Sequence, residues 1–523
     1  MTNHARPNKT LILPSLLQAR ANSAESASRI FAREVDGAEI SYRETYIQAR
    51  ILARSMQELG VKPGARVAAI LPSSCDAVVT MCAAAVLGAI YVPLNTAYVG
   101  DLLGHALRVT EPDVVIVDES YAKNLAGIQL GELSPHLVIR GAVGALRADE
   151  SPGWRSVQSL ADLRDGEDDP GFVPVTADWA DVGLLLFTSG TTGASKAVIV
   201  SWLHFFLSSS RCWSIDELDS DANMYSPWPM NHISGAGSIY AMAIVGGSLT
   251  LRDGWSTSRF MADILEYRCG VTTLIGETVG YVSKMVPPNG AADFPLSKLN
   301  TAPISPVTEK IRETLGVDVC TNYNSTEQSA AIGSLGYDPL PMGSCGLLRE
   351  GAAVRLVDTE GNDVPRGEPG ELLVRTYDPA AMSTGYWGMP DATSSAWEGG
   401  FYHTGDLLRQ DEDGYFYYLG RLKDRIRVRG ENVSADELEG ILTRSPLIER
   451  CAAVGVPDQF SDDELILFAI PATEEVLAEQ IKAYCAANLP KFMIPSRIIL
   501  VSALPETPTG KVQRAVLRKS LES

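Results

Sequence analysis

At 523 residues the chain is too long for one hydrophobic core and predicts two or more domains. Its 44 basic and 64 acidic residues give a formal charge of −20, which argues against a nucleic-acid surface or an anionic membrane face; a polyanion would need a specific site built from backbone N–H groups, a lysine or a metal. The eight cysteines are scattered, with no CxxC and no Cys-His cluster, so a zinc site or disulfide framework is not expected and buried, reduced thiols are.

The N-terminal MTNHARPNKTLILPSLL lacks the apolar core and cleavage site of a signal peptide, and the expectation is a soluble, cytoplasmic protein. From about 40 to 120, ARVAAILP, a helix over 77–86, AIYVPLN and DVVIVDE give a βαβαβ rhythm, hence a parallel sheet covered by helices. The stretch 77–94 approaches membrane-span length, but Gly88 and Pro93 break it into a core helix and a strand. Residues 147–171 are polar with Pro and Asp, and read as a surface connection. Next comes LLLFTSGTTGASKAVIVSW at 184–202, two strand-like runs around a small-residue loop. SLTLRD, VTTLIGE, KLNTAPI and VDVCTNY then resume the αβ rhythm. Near 352 the texture turns to strands joined by DTEGN and DEDG turns; DEDG alone lacks the ligand spacing of a calcium loop. After GRLKDRIRVRGENVS a compact αβ piece begins, with Ser434 and Glu437 at capping-box spacing, a helix near 474–488 and the strand SRIILVSALP.

Four segments carry chemistry. The loop TSGTTGASK is not a Walker A loop, because no glycine precedes Lys196 and Ala197 follows it. Glycines that let successive N–H groups converge, hydroxyls and one ammonium nevertheless suit phosphate; a plain surface turn fits the loop alone as well. Tyr323-Asn324-Ser325-Thr326-Glu327 follows a strand, so the acid would sit where open α/β sheets bind ligands, unless it only decorates a helix start. Tyr402-His403-Thr404-Gly405-Asp406 with Gly420-Arg421-Leu422-Lys423-Asp424 reads by itself as a turn aspartate and a surface ion pair. Pro505-Glu506-Thr507-Pro508-Thr509-Gly510-Lys511 reads by itself as a solvated loop.

Together and in this order the four resemble the signatures of the adenylate-forming superfamily of acyl-CoA synthetases, peptide-synthetase adenylation domains and luciferases. The resemblance runs from SYRETY at 41 to KVQRAVLRK at 511–519, with LGAIYVPLN, GELLVRT, STGYWGMPDAT and GENVSADELEG in support. It implies an α/β fold: a large N-terminal domain of αβ-layered sheets plus a β-rich subdomain over 1–422, and a small mobile C-terminal α+β domain over 423–523 hinged near Lys423. It implies that Thr188, Ser189, Gly190, Thr191, Thr192 and Gly193, with Lys196, wrap the ATP phosphates. Ala302, Pro303, Asn322, Tyr323, Asn324, Ser325 and Thr326 would line the adenine and α-phosphate, and Glu327 would hold Mg²⁺. Asp406 would take the ribose hydroxyls, supported by Arg421. Lys511 would bridge the acyl carboxylate and α-phosphate, with Thr188, Glu327 and His232 completing the catalytic set. Lys423, Gly430, Glu431 and Asn432 would serve the hinge and the CoA channel. Two departures stand out: relatives usually have Pro-Lys-Gly where this chain has Ser195-Lys196-Ala197, and glycine where it has Asn324.

The resemblance places the acyl pocket at Asn231, His232, Ile233, Ser234, Gly235, Glu277, Thr278 and Asn324. The segment 228–255 most resembles ligases for crotonobetaine, carnitine and fatty acids, and Ser234, Gly235 and Gly237 leave room for a large acyl chain, although small residues also serve helix packing. The implied function is ATP-dependent activation of a medium-to-large apolar acid to an acyl-adenylate, then transfer to CoA, with ATP, Mg²⁺ and CoA as the small molecules required. The alternative is adenylation only, with the acyl group passed to a carrier protein or partner enzyme. Neither nucleic acid nor a membrane span is expected; a homodimer is left open. A catalytically dead binding module is disfavoured by the retained Lys196, Glu327, Asp406 and Lys511.

Overall fold

The computed structural model describes residues 6–145, 153–188, 195–286, 293–422, 425–428, 431–457, 463–489, 493–507 and 510–521. Contacts divide the chain into two compact units, Met1–Ala353 with Arg375–Gly400, and Val354–Val374 with Phe401–Ser523. The boundary expected at 422 therefore falls within the second unit, and Lys423 lies outside the described residues.

The first unit holds two sheets. One has seven strands in the order Ser156–Ser159, His136–Arg140, Val114–Asp118, Arg66–Ile70, Ile90–Pro93, then β1 (Val182–Thr188) and β2 (Lys196–Ser201). Its strands pair in parallel as far as β1, and β1–β2 form an antiparallel hairpin. The buried run at 77–94 is a helix, Cys75–Leu87, and then a strand. Ser74 caps the helix by accepting from Ala77 N, and Gly88 ends it in the left-handed region at φ 73°. The connection at 147–171 contains more order than its polarity predicts. The strand Ser156–Ser159 adds to the sheet edge and a short helix, Leu160–Arg164, buries Leu160 and Leu163. Two apolar residues and a Ser159 cap suffice there, because the neighbouring strand supplies the template.

α1 (Trp202–Cys212) follows β2 directly, capped by Ser201 Oγ accepting from His204 N. The second sheet then develops around β3 (Asn223–Ser226), β4 (Val271–Ile275), β5 (Lys298–Ala302) and β6 (Asp318–Tyr323), which pair in parallel in that spatial order. The crossovers are helical, chiefly α2 (Ile233–Val245) after β3 and α3 (Glu277–Met285) after β4. Among the described residues no helix is long and apolar enough to cross a membrane. All eight cysteines are buried, and none is in a disulfide.

In the second unit β7 (Phe401–Gln410) and β8 (Phe416–Arg421) form an antiparallel hairpin around the DEDG turn, and Gly370–Thr376 pairs with β7. A second hairpin joins β9 (Arg425–Val428) to β10 (Glu431–Ser434), which leads straight into α4 (Ala435–Leu442), as the Ser434 capping signal predicts. The strands Ile448–Pro457, Asp463–Pro471 and Arg497–Leu500 form a three-stranded sheet with its own apolar core.

Candidate active site

Four neighbouring parallel strands end together, and each hands on a predicted residue. β3 leads to Asn231 and His232, β4 to Gly276 and Thr278, β5 to Ala302 and Pro303, and β6 to Tyr323, Asn324 and Glu327. Ligands bind beyond the carboxyl ends of such strands, where loops are free to vary. Asn231, Tyr323 and Glu327 are buried, at 8%, 7% and 7% exposure, and His232, Ile233, Ser234, Ser325 and Thr326 are half-buried. Thr278 Oγ donates to the Ile275 carbonyl at 2.8 Å, which fixes the turn out of β4. The Glu277 side chain lies outside the described residues.

Gly235 and Gly237 do not open space for an acyl chain. A Cβ on Gly235 would lie 2.1 Å from the Pro229 carbonyl oxygen and 2.7 Å from that of Trp228. One on Gly237 would meet Ser209 Oγ at 3.3 Å and the Trp213 ring at 3.5 Å. Both notches are filled by the protein itself, so they serve close packing of α2.

The hairpin of β1 and β2 brings in the phosphate-loop candidates. Thr188 ends β1 directly opposite Lys196 at the start of β2; Ser189, Gly190, Thr191, Thr192 and Gly193 lie outside the described residues. What joins this hairpin to the end of β6 is Tyr386, absent from the predicted site. Its hydroxyl donates to Glu327 Oε1 at 3.0 Å, and Lys196 Nζ stands 4.7 Å from its ring centroid. The segment carrying it lies along β2, with Trp387 N donating to Ala197 O at 2.8 Å and Ile199 N to Gly385 O at 3.0 Å. Sequence offered one signal: a hydrogen-bonding aromatic inside STGYWGMPDAT, flanked by small residues.

The Glu327 carboxylate suits a divalent cation. It is nearly buried, and among the described residues no Lys, Arg or His pairs with it. Nor does any group of three His, Cys, Asp or Glu side chains gather among the described residues. One carboxylate without a protein cage is the arrangement in which Mg²⁺ is shared with substrate phosphates and water.

In the second unit Asp406 on β7 lies opposite Arg421 on β8, with Nε 2.8 Å from Oδ1. Asp406 is 4% exposed, and its amide donates to Thr404 Oγ at 3.0 Å, which orients the turn at Gly405. Glu431 and Asn432 open β10 in register with Val428 and Arg427; Gly430 lies outside the described residues. Lys511 is exposed; its amide donates to Thr507 Oγ at 3.1 Å, and Thr507 N donates to the Lys511 carbonyl at 2.8 Å.

The AMP-binding enzyme family model matches residues 17–387, and that of the AMP-binding enzyme C-terminal domain matches 437–511. The chain belongs to the AMP-binding enzyme family. It is 29% identical to a feruloyl-CoA synthase of Amycolatopsis sp over 92% of this chain and 94% of that protein. It is 28% identical to a long-chain-fatty-acid–CoA ligase of Mycobacterium tuberculosis over 91% and 93%. The anthranilate CoA ligase AuaEII, solved in complex with anthranoyl-AMP, superposes with a TM-score of 0.82 at 25% identity, covering 98% of this chain and 97% of its own. Both departures flanking Lys196 have a local explanation. Ser195 is anchored by its carbonyl, which accepts from His105 Nε2 at 2.9 Å, while Tyr98 Oη lies 3.4 Å from its hydroxyl. Ala197 is a fully buried β2 residue opposite Phe187, where glycine's freedom has no use.

Proposed function

We infer that this enzyme activates a carboxylic acid with ATP, forming an acyl-adenylate and pyrophosphate, and transfers the acyl group to the CoA thiol with release of AMP. The observation that carries the reading is the buried Glu327 carboxylate at the end of β6, tied through Tyr386 to Lys196 at the foot of the glycine-rich loop. In the first half-reaction two anions must approach, so negative charge has to be neutralised where it grows. Mg²⁺, when bound, supplies that charge at the phosphates, with Glu327 to hold it. Lys196 and Thr188 flank the β- and γ-phosphates, Tyr323 stacks on the adenine, Asp406 takes the ribose hydroxyls, and Lys511 neutralises the α-phosphate and the incoming carboxylate.

In the second half-reaction a thiol attacks the adenylate carbonyl, and a lysine in its path would obstruct it. Movement of a C-terminal domain, 423–523, about Lys423 removes Lys511 and presents Gly430, Glu431 and Asn432 to the thiol. The acid is medium-to-large and apolar: Trp228, Met230 and Ile233, which flank Asn231 and His232, are apolar, and feruloyl and long-chain fatty acyl groups are named for two of the relatives. The deciding experiment supplies ATP, Mg²⁺ and a panel of acids and measures pyrophosphate and AMP with and without CoA. CoA-dependent AMP release with acyl-CoA formation supports the ligase. Pyrophosphate release indifferent to CoA supports adenylation for a carrier protein instead.

A further inference from the structure

Tyr386 makes contacts that space-filling does not require. It is 6% exposed, and its ring packs edge-on against Trp397, centroids 5.5 Å apart at 74°, a role phenylalanine would fill equally well. The hydroxyl donates to Glu327 Oε1 at 3.0 Å, where both side chains are nearly shielded from water. The backbone holding the ring is fixed on several sides. Tyr386 N donates to Thr393 Oγ at 2.9 Å, its neighbours pair with Ala197 and Ile199 of β2, and Ser383 N donates to the Glu327 carbonyl at 2.9 Å. Both the acid's main chain and its side chain are therefore held from the same short segment. The opposite side of this contact is Lys196, whose ammonium lies 4.7 Å from the ring centroid, within cation–π range.

We propose that Tyr386 is a positioning residue for the adenylation half-reaction, its hydroxyl fixing the Glu327 carboxylate in the orientation that receives magnesium and its ring seating Lys196 at the phosphate loop. The proposal rests on the reading that Glu327 holds Mg²⁺ and Lys196 meets phosphate. A carboxylate that is free to rotate must be ordered each time the cation binds; one already bonded through Oε1 presents Oε2 at no further cost. Partners of this kind, one step removed from the metal, typically change metal affinity by about 10–100-fold when removed. The ring contact makes a separable contribution, because Tyr386→Phe deletes the hydroxyl and keeps the face beneath Lys196.

The test compares Tyr386→Phe, Tyr386→Leu and Glu327→Gln with the parent. Calorimetric titration of ATP without acid, in EDTA and then across a Mg²⁺ series, reads binding without turnover; initial rates of pyrophosphate release give the Mg²⁺ requirement of the reaction. Tyr386→Phe should leave ATP affinity in EDTA and the melting temperature close to the parent, and raise the Mg²⁺ concentration for half-maximal response by about tenfold or more in both assays. Tyr386→Leu should in addition weaken ATP binding in EDTA, because Lys196 loses its seat. Tyr386→Phe with the parent's Mg²⁺ dependence in both assays, beside a Glu327→Gln variant that has lost it, overturns the proposal alone. Glu327→Gln with the parent's Mg²⁺ dependence overturns the reading beneath it.

Discussion

Replacing Gly235 by alanine isolates what close packing contributes to the mouth of the site. The added methyl would stand 2.1 Å from Pro229 O, 2.6 Å from Pro229 C and 2.7 Å from Trp228 O, all backbone atoms that cannot swing aside. Either the first turn of α2 or the segment 228–232 must shift by about 1 Å to restore ordinary contact, and that segment carries Asn231 and His232. Overpacking of this kind costs about 1–3 kcal/mol, and the rigid obstacle puts Gly235→Ala at the upper end. Gly237→Ala is the control, since its methyl meets a serine hydroxyl and a tryptophan edge at 3.3–3.5 Å. Its helix propensity improves by about 1 kcal/mol, which offsets the tight contact, so its net effect is near zero. For a unit of this size 1 kcal/mol corresponds to roughly 1–2 °C, which scanning calorimetry resolves. Gly235→Ala should lower the melting temperature by about 3 °C or more and raise KM for the acid, with KM for ATP little changed. Equal melting shifts for the two variants, or an unchanged KM for the acid in Gly235→Ala, would refute the reasoning.

Lys511→Ala, at an exposed position, should alter stability by less than about 0.5 kcal/mol while slowing adenylate formation about 10²–10³-fold, measured by pyrophosphate exchange. His204 is wholly buried, and burial depresses its pKa to about 4 from 6.5 although Nε2 donates to the Gln328 carbonyl at 2.9 Å. The unfolded chain therefore takes up the proton first on acidification. The stabilising contribution is complete above pH 6.5 and is lost as pH falls from there towards 4; urea midpoints against pH should show it, and His204→Gln should flatten the slope in that window. Asp263 is fully buried beneath Arg252, Arg259 and the Tyr225 hydroxyl, so Asp263→Ala should destabilise the first unit by about 3–5 kcal/mol in chemical unfolding.

The runs SLTLRD, VTTLIGE, KLNTAPI and VDVCTNY were legible as strands because each is short and they continue the αβ rhythm of the preceding chain, and all four form in one sheet. That the polar residues after them would share one edge followed from the parallel αβ rhythm. Tyr386 was not legible as a partner of Glu327. Its place depends on residues 385–387 pairing with β2, far away in sequence, and no local propensity encodes such a pairing. The two glycines misled for a related reason: a missing side chain looks the same in sequence whether a ligand or a carbonyl fills the notch.

Asn324 shows how a departure from the family pattern is absorbed by its surroundings. Both polar ends of its side chain are occupied: Oδ1 accepts from Ala330 N at 2.9 Å, and Nδ2 approaches Cys212 Sγ at 3.6 Å. Ala330 itself is fully buried in the left-handed region at φ 49°, a conformation that costs an L-residue about 1–2 kcal/mol. The bond from Asn324 therefore spans the loop containing Glu327 and helps hold its strained end. A glycine at 324 could not make that bond, and Ala330 would be left with a buried donor to satisfy elsewhere. Asn324 thus belongs to the scaffold that presents the Glu327 side chain, and a change at 324 reaches the loop that carries that carboxylate.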